Sequence, residues 1–143
     1  MNNNKMVLKI SAISENEHFA RTVVGCFVLR LNPSVAQVSD IKTAVSEAVT
    51  NCIVHGYPNN PGEITIEAYI EKGNIHINIF DNGVGISNIE EALQPFYTTK
   101  GDEERSGMGF TIMQSFMDSV EVKSKLNEGT KIYMSKKIIS DAV

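Results

Sequence analysis

The sequence predicts an α+β fold in two layers, an α/β sandwich in which a mixed β-sheet carries helices on one face. Two patterns lead to this fold class. About five segments alternate apolar and polar residues, mostly as hairpin pairs, and three longer segments each carry one apolar stripe at helical spacing. The 143 residues are enough to bury one sizeable core, so we expect a single domain that spans residues 1–143.

Composition narrows the function classes. The chain is 42% hydrophobic and 21% charged, and its net charge of −4 argues against a nucleic-acid partner, which needs a basic surface. No apolar run reaches membrane-spanning length, and the segment from Met1 to Lys5 lacks the features of a signal peptide. We expect a cytoplasmic protein without direct nucleic-acid or membrane contacts. Cys26 and Cys52 lie on apolar stripes, which favours buried free thiols over a disulfide.

The first two elements are a strand and a helix. Residues Met6–Ile13 alternate, which predicts a strand with one buried face. Ser14 and Glu17 match a capping box, so a helix should begin there and end at Asn32–Ser34. The residues at three- and four-residue spacing predict its apolar face: Phe19, Val23, Cys26, Phe27 and Leu31.

A second helix is expected from about Asp40 to His55, with Ser39 or Asp40 as its N-cap. Glu47, Asn51 and His55 are four residues apart, so they form one row along the edge of the apolar stripe and should be partly buried. The stripe itself is almost unbroken: Ile41, Ala44, Val45, Ala48, Val49, Cys52 and Ile53.

A hairpin follows, and its second strand ends in a carboxylate. Residues Ile64–Ile70 and Ile75–Phe80 alternate on either side of the turn at Lys72–Asn74. The next stretch is Asp81-Asn82-Gly83-Val84-Gly85. A carboxylate at a strand end can accept a hydrogen bond from an exocyclic amine such as that of adenine, and the glycines allow the backbone to approach a flat ligand. Asp-Asn-Gly is also a common turn sequence, so this stretch alone does not decide between site and turn.

The C-terminal half predicts a loop, a helix and a second hairpin. A short helix is expected around 88–94, followed by a polar loop without periodicity from Pro95 to Ser106. A third main helix should run from Gly107 to about Ser119, and a hairpin should join 120–126 to 130–136. The helix residues expected in the core are Phe110, Met113 and Met117.

Four motifs in this order resemble the Bergerat-type ATP-binding fold shared by gyrase, Hsp90, histidine kinases and MutL. They are Glu47-x-x-x-Asn51-x-x-x-His55, Asp81-x-Gly83-x-Gly85, Gly107-x-Gly109 and Gly129-Thr130. Glycines at a helix N-terminus let N–H groups point at phosphates, which the helix dipole also favours. Gly129 fits equally well as the turn residue of a hairpin.

Within that fold, several stretches resemble the sporulation anti-sigma F factors, a family of small serine protein kinases. The stretches are Ser46–Asn51, His55–Tyr57, Thr98–Lys100, Glu104–Met113 and Phe116–Asp118. The resemblance implies a homodimer that binds a sigma factor and keeps it from RNA polymerase. It also implies that, with ATP and Mg²⁺, the protein phosphorylates a serine of an anti-anti-sigma partner, leaving ADP.

The resemblance also assigns roles to residues of the first two motifs. It implies that Glu47 is the general base for the partner's serine, that Asn51 is a Mg²⁺ ligand, and that Asp81 reads adenine, with Gly83 and Gly85 beside it. Thr130 could hydrogen-bond near the adenine. Taken alone, Glu47 would more simply be a solvated helix residue, and His55 a residue bonded at the helix end.

Further roles fall on the predicted loop and on the first helix. The resemblance places Arg105 at the terminal phosphate and Arg21 at the surface that both protein partners contact, although spacing alone makes Arg21 an exposed helix residue. The near hinge of a nucleotide lid would consist of Thr98, Thr99 and Lys100. The segment that wraps the phosphates would consist of Ser106, Gly107, Met108, Gly109 and Phe110.

Two alternatives share the fold. One is the related anti-sigma kinase of the general stress response, which differs in partner rather than in chemistry. The other is a nucleotide-dependent clamp that binds protein without phosphoryl transfer, but such a clamp needs neither Glu47 nor Arg105. A gyrase- or Hsp90-like machine is disfavoured by chain length, and a histidine-kinase domain by the missing phosphoacceptor-helix pattern.

Overall fold

The computed structural model describes residues 4–58, 61–85 and 109–139, which form a five-stranded sheet and three α-helices. A 3₁₀ turn at Leu29–Leu31 follows the first helix, and a π-helical turn at Cys52–Gly56 follows the second. The strands are β1 (Lys5–Ser11), β2 (Glu63–Glu71), β3 (Asn74–Asp81), β4 (Ser119–Lys125) and β5 (Gly129–Lys137), and the helices are α1 (Glu15–Val28), α2 (Val35–Asn51) and α3 (Gly109–Phe116).

The sheet has the strand order β1-β2-β3-β5-β4. The two-layer α+β prediction is confirmed, but every pairing among the described strands is antiparallel, where a mixed sheet was expected. The reason is that β5, rather than β4, lies beside β3. With this strand order, each strand runs antiparallel to its neighbours in the sheet. This order pairs Asp81 at the end of β3 with Thr130 at the start of β5.

The core lies between one face of the sheet and the helices. Alternate residues of the central strands are buried, which is the period-2 pattern that the sequence predicted. They include Ile64, Ile66, Ala68, Ile75, Ile77, Ile79 and Ile132. The predicted stripe of α2 is confirmed, as are the predicted core positions Phe110, Met113 and Met117.

The predicted apolar face of α1 is largely wrong. Phe19 is 49% exposed and Cys26 is exposed, so only Cys52 is a buried thiol. Two apolar stripes have helical spacing on α1, and the one with smaller residues faces α2 because it permits a closer approach of the helices. That buried stripe consists of Ala20, Val24, Gly25, Phe27 and Val28.

The predicted helix caps are confirmed only in part. Ser14 does stand at the N-cap position of α1, but it has a helical backbone conformation and its side chain makes no capping bond. Helix α2 begins at Val35 rather than Asp40, because Ser34 is extended and caps it. The Gln37 N–H donates to Ser34 Oγ at 3.1 Å, and the Ser34 N–H donates to Gln37 Oε1 at 2.9 Å, which completes a capping box.

The remaining bounds agree with the sequence to within a few residues. The β2–β3 turn has Lys72 and Gly73 at positive φ (51° and 79°), as a tight hairpin requires. Helix α3 ends at Phe116, whose carbonyl accepts a 2.7 Å bond from Lys136 Nζ, and Lys136 also lies 3.8 Å from the Asp40 carboxylate of α2. The predicted helix at 88–94 lies outside the described residues. No α-helix of the described ranges has the length and apolarity needed to cross a membrane.

The capping box provides a test of the α2 boundary. Ser34→Ala should lower the free energy of unfolding by about 1 kcal/mol, because the Gln37 N–H loses its hydroxyl acceptor at the start of the helix. Ser39→Ala is the matched control at the exposed position that the sequence suggested as the cap, and it should change stability by less than about 0.5 kcal/mol. Urea unfolding of the two variants gives both values, and the reverse order would contradict this boundary.

Candidate functional site

The candidate site is built around Asp81, the last residue of β3. Asp81 and Thr130 are the only two buried polar residues of the described chain, and Asp81 is 5% exposed. Oδ1 accepts hydrogen bonds from the Gly83 N–H at 2.9 Å and the Thr130 N–H at 3.2 Å. The buried thiol of Cys52 lies near the carboxylate and favours its charged form. The loop after β3 and the start of β5, which is 49 residues away, therefore hold one carboxylate.

Burial sets the electrostatics of this pair. Desolvation raises the pKa of Asp81 above its usual value, while the hydrogen bonds from Gly83, Cys52 and Thr130 oppose that rise. Desolvation also raises the pKa of the Cys52 thiol well above its usual value, and the neighbouring carboxylate raises it further. Cys52 is consequently a neutral thiol that can donate a hydrogen bond.

The π-helical turn brings the end of α2 against Asp81. The Val84 N–H donates to the Gly56 carbonyl at 2.9 Å, and a Cβ at Gly83 would collide with that same carbonyl. A Cβ at Gly56 would lie 3.0 Å from Asp81 Oδ2. The close contact between these two chain segments therefore requires glycine at Gly83. The sequence predicted a different role, in which this glycine lets the backbone approach a ligand.

The β4–β5 turn closes another side of the site. Gly129 has φ of 93°, and a Cβ there would collide with the Asp81 carbonyl, so it serves the close packing as well as the hairpin. Gly85 packs in the same way on the Lys125 carbonyl. The Thr130 hydroxyl shares a 2.8 Å hydrogen bond with the Ser124 hydroxyl.

Tyr57 fixes the loop after Asp81, and sequence reasoning gave it no role. Its hydroxyl accepts a 2.6 Å bond from the Asn82 N–H and donates a 2.9 Å bond to the Glu63 carbonyl. The hydroxyl thus joins the first residue of β2 to the loop after β3. A tyrosine just after a helix end and a glycine carried no local signal for this long-range contact.

The row on α2 is confirmed only in part. Glu47, Asn51 and His55 are all partly buried, as predicted. Helix α2 ends at Asn51, however, and His55 lies within the π-helical turn, so it does not continue the α-helical spacing. Asn51 directly precedes the π-helical turn, whose last residue, Gly56, packs against Asp81, and this places the helix end near the strand end.

Arg21 lies on α1 in a network that reaches α2. Its Nε is 3.4 Å from Glu17 Oε2, and one of its terminal nitrogens is 2.8 Å from His18 Nδ1. The Ser46 hydroxyl donates a hydrogen bond to the same Glu17 oxygen. This hydrogen bond connects the helix that carries Arg21 to the helix that carries the predicted base, Glu47, which is adjacent to Ser46.

A surface groove beside Arg21 combines positive charge with apolar side chains. Its volume is about 550 Å³. Two cationic residues, Arg21 and Lys42, lie on its lining, and Val35 is 88% exposed there. The other lining residues are Leu29, Pro33, Val38, Ser39 and Thr43. Such a mixture is typical of a protein-binding surface.

Most of the predicted phosphate-binding residues lie outside the described residues. Gly109 and Phe110 are the first two residues of α3, and Phe110 is buried in the core. The predicted residues outside the described ranges are Thr98, Thr99, Lys100, Arg105, Ser106, Gly107 and Met108.

The donors and acceptors present fit an adenine nucleotide with Mg²⁺. Asp81 is a buried acceptor with spare capacity, since an ionised carboxylate can accept about four hydrogen bonds. The partly buried amide of Asn51 supplies an oxygen of the kind that Mg²⁺ accepts. The described residues contain no cluster of three His, Cys, Asp or Glu side chains that would hold a metal alone. Such a site suits a metal that is bound largely by phosphates and water.

Comparison with known proteins identifies the relatives of this chain. Residues 10–136 match the family model of the histidine kinase-like ATPase domain. A curated relative from Geobacillus sp. (strain WCH70), named anti-sigma F factor, is 56% identical over 136 residues, covering 94% of this chain and 93% of the relative. A relative of the same name from Thermoanaerobacter sp. (strain X514) is 54% identical over 138 residues and covers 96% of each chain.

A solved structure supports the fold independently. The RsbU and RsbW domains of a Mycobacterium tuberculosis protein align with a TM-score of 0.68 at 14% sequence identity. The alignment covers 98% of this chain and 35% of that chain. A sequence identity this low supports a shared architecture only. The structural alignment extends that likeness over nearly the whole of the present chain.

The raised pKa of Asp81 predicts a pH-dependent stability. An unfolded Asp has a pKa of about 3.9, and the pKa of Asp81 in the folded chain lies higher, so the contribution of Asp81 to stability falls as pH rises through this window. Asp81→Asn keeps an acceptor oxygen but does not ionise. Its free energy of unfolding, relative to wild type, should therefore increase as pH rises from about 4 and then level off.

Urea unfolding at a series of pH values tests this expectation. Asp118→Asn is the matched control, because it removes one negative charge from an exposed position near the opposite end of the β3–β5 pair, where Asp118 accepts a bond from the Lys137 N–H. A difference between Asp81→Asn and wild type that stays constant with pH would show that Asp81 titrates alike in the folded and unfolded chain.

Proposed function

Because the chain belongs to the anti-sigma F factor family and carries the histidine kinase-like ATPase domain, we propose that it is an ATP-dependent serine kinase and a sigma-factor inhibitor. In this proposal the single domain of residues 1–143 acts in the cytoplasm. It binds a sporulation sigma factor, and it phosphorylates a serine of an anti-anti-sigma protein. The observation that carries the proposal is the buried, backbone-held carboxylate of Asp81 beside the π-helical turn that follows α2.

Asp81 would select the nucleotide. A carboxylate held at Oδ1 by two N–H groups cannot move freely, so its remaining acceptor capacity is directional. The exocyclic amine of adenine is a donor suited to it, whereas guanine presents a carbonyl oxygen at the equivalent position. Gly83, Gly85 and Thr130 would form the walls beside the base.

The phosphate end of the nucleotide would lie toward α2 and α3. Mg²⁺, when bound through Asn51, would neutralise charge on the triphosphate. Gly109 and Phe110 begin α3, whose N-terminal N–H groups favour phosphate. The same proposal assigns the hinge of a lid to Thr98, Thr99 and Lys100, phosphate contacts to Ser106, Gly107 and Met108, and the terminal phosphate to Arg105.

Glu47 would act as the base. It lies one helical turn before Asn51 on the same helix, and one of its carboxylate oxygens is buried. A carboxylate in that position can orient the partner's serine hydroxyl and accept its proton as the phosphoryl group is transferred.

Two surfaces support the proposed protein contacts. The groove beside Arg21 offers charge and apolar contact to a partner, which suits the assignment of Arg21 to the sigma factor and the anti-anti-sigma protein. Phe19 and Val7, each about half exposed, are apolar surface that a second copy could cover in a homodimer. The 56% identity to an anti-sigma F factor favours this branch over the general-stress kinase, and Glu47 favours a kinase over a binding clamp.

The kinase proposal is tested by label transfer. The purified protein is incubated with radiolabelled ATP, Mg²⁺ and the candidate anti-anti-sigma protein, and the labelled residue is located. Glu47→Gln should reduce transfer to the partner serine by about 10²- to 10⁴-fold while ATP affinity stays within a few-fold. Glu121→Gln, at an exposed position on β4, is the control and should transfer normally. Equal transfer by Glu47→Gln and wild type would remove Glu47 as the base.

The sigma-binding proposal is tested at Arg21. Arg21→Ala should weaken binding of the sigma factor by about 30-fold, the effect of losing a ~2 kcal/mol contact, and should leave ATP affinity unchanged. Arg30→Ala is the matched control, because Arg30 is exposed and stacks over Phe27 outside the groove. Calorimetry with purified sigma factor measures both, and equal affinities of the two variants would place the contact elsewhere.

A further inference from the structure

Two consecutive residues, Gly56 and Tyr57, hold the loop after β3 on both sides of Gly83. The Asn82 N–H donates to the Tyr57 hydroxyl at 2.6 Å, and the Val84 N–H donates to the Gly56 carbonyl at 2.9 Å. The N–H between them, that of Gly83, donates at 2.9 Å to the carboxylate at the end of β3. The segment at the end of the π-helical turn therefore fixes the residues that flank this donor.

The Tyr57 hydroxyl also lies where the pairing of β2 with β3 ends. In the observed register Ile64 lies opposite Asp81, so the next pair would be Glu63 and Asn82. The hydroxyl links the backbone groups of that pair, since it accepts the Asn82 N–H and donates to the Glu63 carbonyl at 2.9 Å. It keeps these groups farther apart than the about 2.9 Å of a direct N–H···O bond. The loop after β3 is thereby directed away from β2 and toward the π-helical turn.

The fold fixes the Tyr57 ring as well as its hydroxyl. The ring is half-buried and packs against the apolar core. A Cβ at Gly62 would collide with the ring, so glycine at that position leaves room for it. The Tyr57 N–H donates to the Cys52 carbonyl at 3.1 Å, which joins the residue to the start of the π-helical turn. The position of the hydroxyl is therefore set by the fold before any ligand binds.

We propose that Tyr57 is a positioning residue of the nucleotide site, whose hydroxyl sets the loop after β3 so that the Gly83 N–H holds the Asp81 carboxylate ready to accept the adenine amine. This inference rests on the proposed function, in which Asp81 reads adenine. Tyr57 acts through Gly83, because a shift of Asn82 turns the N–H of the next residue away from Oδ1. A carboxylate that loses one of its two backbone donors is less well oriented, so it discriminates less between an amine and a carbonyl oxygen.

Three variants separate this role from general support of the fold. Tyr57→Phe removes only the hydroxyl and keeps the ring. Gly62→Ala keeps the hydroxyl but displaces the ring, so it should have the same effects, and it provides the test if Tyr57→Phe does not fold. Tyr69→Phe is the matched control, because its ring stacks on His76 toward the hairpin end of β2, away from Asp81. Thermal unfolding shows which variants fold.

The first readout is an NMR titration of protein without nucleotide, which follows the Gly83 amide proton as Asp81 ionises. In wild type this proton should shift, because its N–H donates to the carboxylate. In Tyr57→Phe the shift should fall by at least about half, because a misdirected hydrogen bond weakens steeply. The Thr130 N–H donates to the same oxygen from β5 and should keep its shift. An unchanged Gly83 shift, or an equal loss at Thr130, would overturn the inference.

The second readout is the ratio of the dissociation constants for inosine triphosphate and ATP, each measured with Mg²⁺ by calorimetry. Inosine carries a carbonyl oxygen where adenine carries its exocyclic amine. Tyr57→Phe and Gly62→Ala should lower this ratio by about three- to tenfold, mainly by weakening ATP, and Tyr69→Phe should leave it unchanged. An equal loss of affinity for both nucleotides would overturn the inference, since a generally damaged site binds both less tightly.

The design separates this inference from the proposed function. The titration needs no nucleotide, so it decides whether Tyr57 orients the Gly83 N–H even if wild type fails to bind ATP. Failure of wild type to bind ATP would remove the proposed function. A weakened Gly83 titration in Tyr57→Phe with an unchanged nucleotide ratio would contradict this inference alone, because the positioning would not serve adenine.

Discussion

The buried carboxylate of Asp81 is the constraint on which this structure depends. Burying a carboxylate is costly unless hydrogen bonds compensate, and here the donors come from the loop after β3 and the start of β5. Meeting that requirement brings these two segments together at the end of β3. Gly83 packs on the Gly56 carbonyl and Gly129 on the Asp81 carbonyl in the same region, where any side chain would collide.

The same arrangement relates the fold of this histidine kinase-like ATPase domain to its proposed function. The groups that stabilise Asp81 also orient it, so the acceptor that would read adenine is set before a ligand binds. On the opposite side of α2, Ser46 bonds to Glu17, which in turn lies beside Arg21. Helix α2 therefore contacts both the base-reading end of the proposed nucleotide site and the helix proposed to meet the protein partners.

Alternation and residue spacing predicted the elements whose formation depends on residues close together in the sequence. The hairpins, the stripe of α2 and the place of Asp81 at a strand end followed from alternation and spacing. The face of α1 did not, because two stripes have helical spacing and the surface of α2 decides between them. The bond from the Thr130 N–H to Asp81 was also missed, since the two residues are 49 positions apart. Ser34 and Gln37 did carry a readable capping pattern.

The most direct measurement is the affinity of the purified protein for two nucleotides that differ only where Asp81 would act. Calorimetric titration with ATP and with inosine triphosphate, each with Mg²⁺, compares an exocyclic amine with a carbonyl oxygen at the same ring position. If Asp81 accepts that amine, ATP should bind at least about tenfold more tightly, the effect of losing one hydrogen bond to a charged group. Equal affinities would contradict the assignment of Asp81 as the residue that reads adenine.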